Sequence, residues 1–145
     1  MSVKIREFEI DDFANVLSLW RRAGLTISPS DTPEGIKKKL ERDPDLFIVA
    51  EEDGNIVEAV MGAYDGRRAW INHLAVAPER QKIGLGAALL AEVEVRLKAR
   101  ACEKVNLHIY PGNAGVVGFY ERVGYNRAEL IFMEKWLTRG GPDAE

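Results

Sequence analysis

Apolar and polar positions alternate from Val3 to Phe8, with Val3 and Ile5 on one face and Lys4 and Arg6 on the other, which predicts a first strand. Behind Asp11, an N-cap residue type, Phe13, Val16, Leu17 and Trp20 recur at helical spacing, and Gly24 closes that helix. Leu25 to Asp31 reads as a loop. Thr32-Pro33 then places proline at the first turn of a second helix, Ile36 to Arg42, which Asp43-Pro44 stops. Three strands follow, Leu46 to Glu51, Asn55 to Tyr64 and Arg68 to Val76, joined by Asp53-Gly54 and Asp65-Gly66, both hairpin signals. A helix from Gly84 to Arg100, a strand from Val105 to Tyr110, a helix from Asn113 to Arg122 ended by Gly124, and a last strand from Ala128 to Trp136 complete the pattern.

The order β-α-α-β-β-β-α-β-α-β predicts an α/β protein whose mixed sheet (α+β in style) carries helices on its faces. Three antiparallel strands in a row exclude an alternating doubly wound fold. Residues 1–139 read as one domain and 140–145 as a disordered tail, from Gly140-Gly141-Pro142. At 145 residues, 46% hydrophobic and 30% charged, the chain has enough apolar sequence for a core of its own.

The net charge of −3 gives no nucleic-acid footprint, so Lys37-Lys38-Lys39 reads as the wet face of a helix. One cysteine, Cys102, precludes an internal disulfide, and it reads as a buried thiol. With only His73 and His108 beside it, zinc-type spacing is absent, and no metal is expected. The N-terminus has no apolar leader segment and no apolar run reaches membrane-spanning length, so a cytoplasmic protein without a membrane partner is expected.

Gln81-Lys82-Ile83-Gly84-Leu85-Gly86 joins a strand to a helix. Such a junction presents unpaired N–H groups and the positive end of the helix dipole, which suits a phosphate-bearing ligand. The dinucleotide fingerprint fails here. Leu89 stands where a small residue is needed, the preceding strands form hairpins, and Glu103 precedes the next strand instead of ending it. The Walker pattern fails for want of Gly-Lys-Ser/Thr.

Leu74-Ala75-Val76-Ala77-Pro78, then Gln81-x-x-Gly84-x-Gly86, then Asn113, then Phe119-Tyr120-Glu121-Arg122-Val123-Gly124-Tyr125 together resemble the GNAT superfamily of acetyl-CoA-dependent N-acetyltransferases. The loop satisfies the family's Arg/Gln-x-x-Gly-x-Gly/Ala motif, and Asn113, Tyr120 and Gly124-Tyr125 fit its second signature. The resemblance runs from about Val3 to Leu137 and is greatest to small single-domain bacterial members of the YpeA type. It implies transfer of an acetyl group from acetyl-CoA to a primary amine, small or on a protein, by direct attack on the thioester. It also implies, at family level, a homodimer formed through the late strands.

By the same resemblance the coenzyme pyrophosphate rests on the amides of Gln81, Lys82, Ile83, Gly84, Leu85, Gly86 and Ala87. The pantetheine arm pairs with backbone freed by a bulge at Leu74, Ala75 and Val76, and Asn113 caps the next helix and touches that arm. Lys82 departs from a common family glycine; its ammonium either pairs with a phosphate or faces water. Tyr120 is implied as the acid that protonates the leaving thiolate, a thiol of pKa about 8.5 against a phenol of about 10.

An amine of pKa about 10.4 is free base on the order of once in 10³ molecules at pH 7, so a base is needed. Trp70 occupies the position of one family glutamate and cannot serve. In Leu107-His108-Ile109, His108 stands in the slot of another, with Asn106, His108 and Tyr110 alternating away from Leu107 and Ile109. His73, one residue before the bulge, is a second candidate; Glu51, Glu52 and water are others. Asp31, Glu34 and Asp65 are carboxylates suited to attract a cationic amine, and Glu58 points either to solvent or to substrate. The lack of an acidic base leaves one alternative of another class, an acyl-CoA-binding sensor without turnover.

Overall fold

The computed structural model of the chain describes residues 3–81, 84–109 and 115–138. They fall into two compact units, Met1–Leu107 and His108–Glu145. The first unit contains β1 (Val3–Glu7), α1 (Phe13–Arg22), α2 (Pro33–Arg42), β2 (Phe47–Glu52), β3 (Asn55–Tyr64), β4 (Ala69–Val76), α3 (Leu85–Ala99) and β5 (Val105–Leu107). The sheet runs β1-β2-β3-β4-β5, antiparallel through β4, with β5 parallel to β4. A parallel neighbour needs a crossover, and α3 supplies it. The mixed sheet predicted from the pattern is therefore present.

Two sets of contacts fix which helix covers which face. Arg96 of α3 reaches Glu7 of β1 at 2.7 Å. A Cβ on Gly62 of β3 would lie 3.1 Å from Val93 Cγ1, so α3 passes directly over that strand. By register, Glu7, Ile48, Ala50, Glu58, Val60, Gly62, Ile71 and Val76 share the α3 face. On the opposite face Phe8 stacks on Phe47 with centroids 4.1 Å apart, and Trp20 of α1 stacks over Phe47 at 6.3 Å. Val16, Leu19 and Trp20 of α1, and Leu89, Leu90, Val93 and Leu97 of α3, are buried against the two faces.

Several local readings change. Leu19, not Leu17, completes the buried stripe of α1, and Leu17 is half-buried. The carboxylate that closes the entry to α1 is Asp12, not Asp11: Asp12 Oδ2 accepts the Glu9 N–H at 2.8 Å, and Arg6 donates to both its oxygens at 2.8 and 2.9 Å. The Thr32 cap holds, Oγ1 accepting from Gly35 N at 3.1 Å. Lys39 is not wet: its Nζ is drawn inward to Asp43 at 3.0 Å and to the Gly62 carbonyl.

The hairpins differ from each other. Asp53 and Gly54 both take positive φ, +52° and +81°, as the tight two-residue turn demands. The second connection is wider, because Asp65 Oδ1 accepts from the N–H groups of both Arg67 and Arg68 at 2.7 and 2.8 Å. Cys102 is half-buried instead of buried, and its thiol lies 3.4 Å from the Lys104 carbonyl.

In the second unit, α4 spans Val117–Arg122 and Gly124, at φ +102°, follows its end. The strand expected over Ala128 to Trp136 does not form; those residues carry no regular structure, and Leu130, Ile131 and Met133 are more than four-fifths exposed. Strand preference reflects packing against a paired neighbour, not the side chains alone. The strand expected to run to Tyr110 stops at Leu107, so β5 offers a ladder only three residues long. Tyr110, Asn113 and the tail 140–145 lie outside the described residues. No helix among the described residues is long and apolar enough to cross a membrane.

Candidate functional site

The ladder between β4 and β5 covers Ala69, Trp70 and Ile71 only. Beyond it, Asn72 to Val76 have no partner on that edge among the described residues. On the other edge β4 keeps its pairing with β3, but with an irregularity: Met61 opposes Asn72 and Ala59 opposes Ala75, so three steps on β4 match two on β3. The extra residue is a bulge at His73 and Leu74, and His73 takes φ +52°. A bulky residue in that region is strained by about 1–3 kcal/mol and held there by its surroundings. Bulges also re-aim side chains. The bulge thus begins at His73 itself, one residue earlier than the sequence suggested.

The chain then passes Pro78–Arg80, a single 3-10 turn, and enters α3 through Gly84. Arg80 pairs with Glu52, and Gln81 Nε2 donates to the Val76 carbonyl at 3.2 Å, which ties the loop back to the strand end. Gly84 sits at φ +87°, a conformation glycine adopts without penalty. The first turn of α3, Leu85 to Ala88, carries no acidic side chain. Leading amides and the positive end of a helix dipole, with no acidic side chain in that turn, are suited to an anion. Lys82 and Ile83 lie outside the described residues, so the role of the Lys82 ammonium rests on sequence alone.

His73 is held on two sides. Trp20 of α1 meets it edge-on, centroids 4.6 Å apart at 82°. Its Nε2 lies 2.8 Å from Asp31 Oδ2, an oxygen that also accepts the Ser28 N–H at 2.8 Å. Asp31 is only 8% exposed. Burial alone would raise its carboxyl, but the hydrogen bonds from His73 and Ser28 outweigh it and hold Asp31 below the usual carboxylate range. A carboxylate accepts only, so Nε2 is the donor, and in the neutral imidazole the lone pair then falls on Nδ1. A histidine with one nitrogen fixed by an acid and the other free is suited to take a proton.

The other proposed bases are otherwise engaged. Glu51 accepts from Arg6 Nε at 2.8 Å, and Glu52 is buried against Arg80. His108 lies past the end of β5 and is exposed, its ring tilted on Phe132 with centroids 4.2 Å apart. The alternation expected across Asn106, His108 and Tyr110 therefore stops at Leu107. Tyr120 lies on α4 between Phe119 and Tyr125, at centroid distances of 5.1 and 5.7 Å. Burial pushes its phenol up to about 12, so it is a donor at any working pH.

Two residues are poorly legible in the sequence. Asp31 is there only one of several carboxylates suited to attract cations, because nothing in the order of residues links position 31 to position 73. Glu58 points neither to solvent nor into an open site; it is fully buried on the α3 face, and neither carboxyl oxygen has a hydrogen-bond partner among the described residues.

A β4 edge freed, among the described residues, beside a helix start suited to an anion is in keeping with what comparison with known proteins finds. The family model described as Acetyltransferase (GNAT) family matches residues 10–125. The chain is 41% identical over 135 residues to an acetyltransferase of Pectobacterium atrosepticum, covering 93% of this chain and 96% of that one. It is 39% identical over 135 residues to a Yersinia pestis protein described as an uncharacterized N-acetyltransferase, with the same coverage of 93% and 96%. Among solved structures, the PaiA N-acetyltransferase of Thermoplasma acidophilum in complex with coenzyme A superposes with a TM-score of 0.79 over 90% of this chain and 94% of that chain, at 19% identity, a likeness of fold. With sheet, loop and relatives in agreement, the chain belongs to the GNAT family and is an acetyltransferase.

Proposed function

We propose that the protein transfers an acetyl group from acetyl-CoA to a primary amine by direct attack on the thioester. The observation that carries this is the β4 edge from Asn72 to Val76, unpaired among the described residues and leading into the glycine entry of α3. In this reading the pyrophosphate sits on the amides from Gln81 to Ala87. The pantetheine arm adds to the edge at Leu74, Ala75 and Val76, and an N–H of that stretch stabilises the oxyanion.

The amine nitrogen attacks the carbonyl carbon, forming the C–N bond. The tetrahedral intermediate then expels the coenzyme thiolate as the C–S bond breaks. His73 Nδ1 takes the amine proton, directly or through one water, and Asp31 stabilises the imidazolium that results. Tyr120 donates a hydrogen bond from its hydroxyl to the departing sulfur, stabilising the thiolate. His73 is preferred to His108 because a buried carboxylate orients it.

The test is titration of the purified protein with acetyl-CoA, followed by an amine panel with detection of released thiol. Binding with turnover supports the proposal. Binding without turnover across the panel favours a sensor, and absence of binding removes the coenzyme reading.

A further inference from the structure

Glu58 breaks the rule that buried charges are paired, and it does so at a particular place. It is opposite Val76 on β4, and Val76 is the residue whose carbonyl Gln81 holds. Its neighbour Val57 accepts the N–H of Ala77 at 2.8 Å, so the strand end that launches the glycine loop is fastened to this segment of β3. Glu58 also shares the α3 face with Gly62, which lies against Val93. Since α3 returns antiparallel to β4, it runs along β3. Four residues back along β3 is about 13 Å, and the same span on a helix is about nine residues. Counting back from Val93, the carboxyl lies beneath the start of α3, at Gly84 and Gly86.

Among the described residues the groups facing it are apolar or paired. Ala50 and Val76 flank it in register, and the α3 residues nearest the start of that helix whose side chains are buried, Leu89 and Leu90, are apolar. The charges nearest on that face are Glu52, neutralised by Arg80, and the Glu92–Arg96–Glu7 cluster farther along α3. His73 contacts the opposite layer, against Trp20 of α1.

From this placement we infer that Glu58 is a positioning residue of the coenzyme site: the anion cradle at α3 accepts the pyrophosphate while the Glu58 carboxyl is protonated, and acetyl-CoA binding and Glu58 ionisation exclude each other. This rests on the coenzyme reading above. A carboxylate under the same amides would compete for the positive helix end and repel the phosphates at short range in a poorly hydrated medium. Burial without a partner pushes the carboxyl up to about 8, so the exchange falls in a measurable range.

Acetyl-CoA is the probe, because its thioester has no thiol to titrate and its phosphomonoester, with second pKa about 6, is ionised throughout. Mutual exclusion predicts that the dissociation constant rises about tenfold from pH 7 to pH 9, the factor by which a group titrating near 8 loses its protonated fraction. In Glu58→Gln and Glu58→Leu the constant stays level over that range; the leucine variant, with no polar group to bury, serves if the glutamine variant does not fold. Calorimetry at pH 8 in two buffers of different ionisation enthalpy shows proton uptake on binding by the native protein and less by the leucine variant. Equal affinity at pH 7 and pH 9 in the native protein, or an unchanged pH dependence in Glu58→Leu, overturns the inference. Failure of the native protein to bind acetyl-CoA at pH 7 instead overturns the coenzyme reading on which it depends.

Discussion

His73 Nε2 and Asp31 Oδ2 lie 2.8 Å apart, joining the bulge of β4 to the loop before α2. The pair spends a strained backbone at His73, φ +52°, on a side chain fixed by a buried acid. Replacing His73 by alanine should lower kcat by about 10²-fold or more, the usual worth of a positioned base. Asp31→Asn should lower it less, and the double variant should be no worse than His73→Ala alone, since the acid works through the imidazole. Acetyl-CoA affinity should hold in all three. Steady-state rates across the cycle decide; additive losses would mean that the two act separately.

The same Asp31 makes a prediction about acid stability. Its folded carboxyl titrates below the unfolded one, so its contribution is present above the ordinary carboxylate range near pH 4 and is lost as pH falls through the folded value. Asp31→Asn should therefore be less stable than the native protein at neutral pH, with the gap closing in acid. Urea midpoints at neutral pH and at pH 3 measure it; a gap that does not narrow would mean that ionisation of Asp31 is irrelevant to the fold.

Tyr120 is held near 12 by burial, whereas a thiol titrates near about 8.5, so full proton transfer to the leaving sulfur is uphill by about 5 kcal/mol. The phenol is better suited to donate a hydrogen bond to the departing thiolate. A hydrogen bond to a charged group contributes about 1.5–3 kcal/mol, so Tyr120→Phe should reduce kcat by about 10- to 100-fold. The acetyl-CoA dissociation constant should stay within about twofold, because the hydroxyl acts on charge that develops later. Stopped-flow or steady-state measurement with a poor and a good thiol leaving group would show the loss growing with the poorer one.

What the chain order revealed follows the range of the interaction. Turn chemistry, helix capping at Thr32 and the glycine entry to α3 are local, and each was readable from a few adjacent residues. The antiparallel middle of the sheet followed from them. Pairings across the fold were not readable: Asp31 with His73, Glu51 with Arg6 and Lys39 with the Gly62 carbonyl join residues that no periodicity relates. Glu58 misled for a similar reason, since a charged residue on a strand reads as facing solvent or substrate until α3 is known to cover it. The segment Ala128 to Trp136 misled in reverse, because apolar composition signals a strand only where a ladder partner exists.

Gly84 separates backbone conformation from sterics. At φ +87°, with no atom within 4 Å of the point where a Cβ would stand, an added methyl group clashes with nothing and only the backbone preference changes. Gly84→Ala should cost about 1 kcal/mol, lowering Tm by roughly 2–4 °C for a chain of this size. Acetyl-CoA affinity should fall as well, because relaxing φ rotates the leading amides of α3 away from the anion. A melting scan with and without acetyl-CoA tests both parts. Loss of stability with full retention of ligand-induced stabilisation would remove the loop amides from the coenzyme site.

Glu58 also sets how stability depends on pH, independently of any ligand. Its folded carboxyl is raised to about 8 from 4.5 by burial alone. Between those values the native state binds the proton that the unfolded state has released, so stability falls as pH rises and levels off above the folded value. The full excursion, 3.5 units, corresponds to about 5 kcal/mol. Glu58→Leu fills the same space without a group that must lose its hydration, and should be more stable than the native protein at neutral and alkaline pH. The advantage should shrink toward pH 4.5, where the native carboxyl is neutral in both states. Urea unfolding of the two proteins at pH 5 and pH 8.5 provides the comparison. Curves that stay parallel would show that Glu58 reaches water or a partner when ionised, and its burial would then set neither stability nor coenzyme affinity.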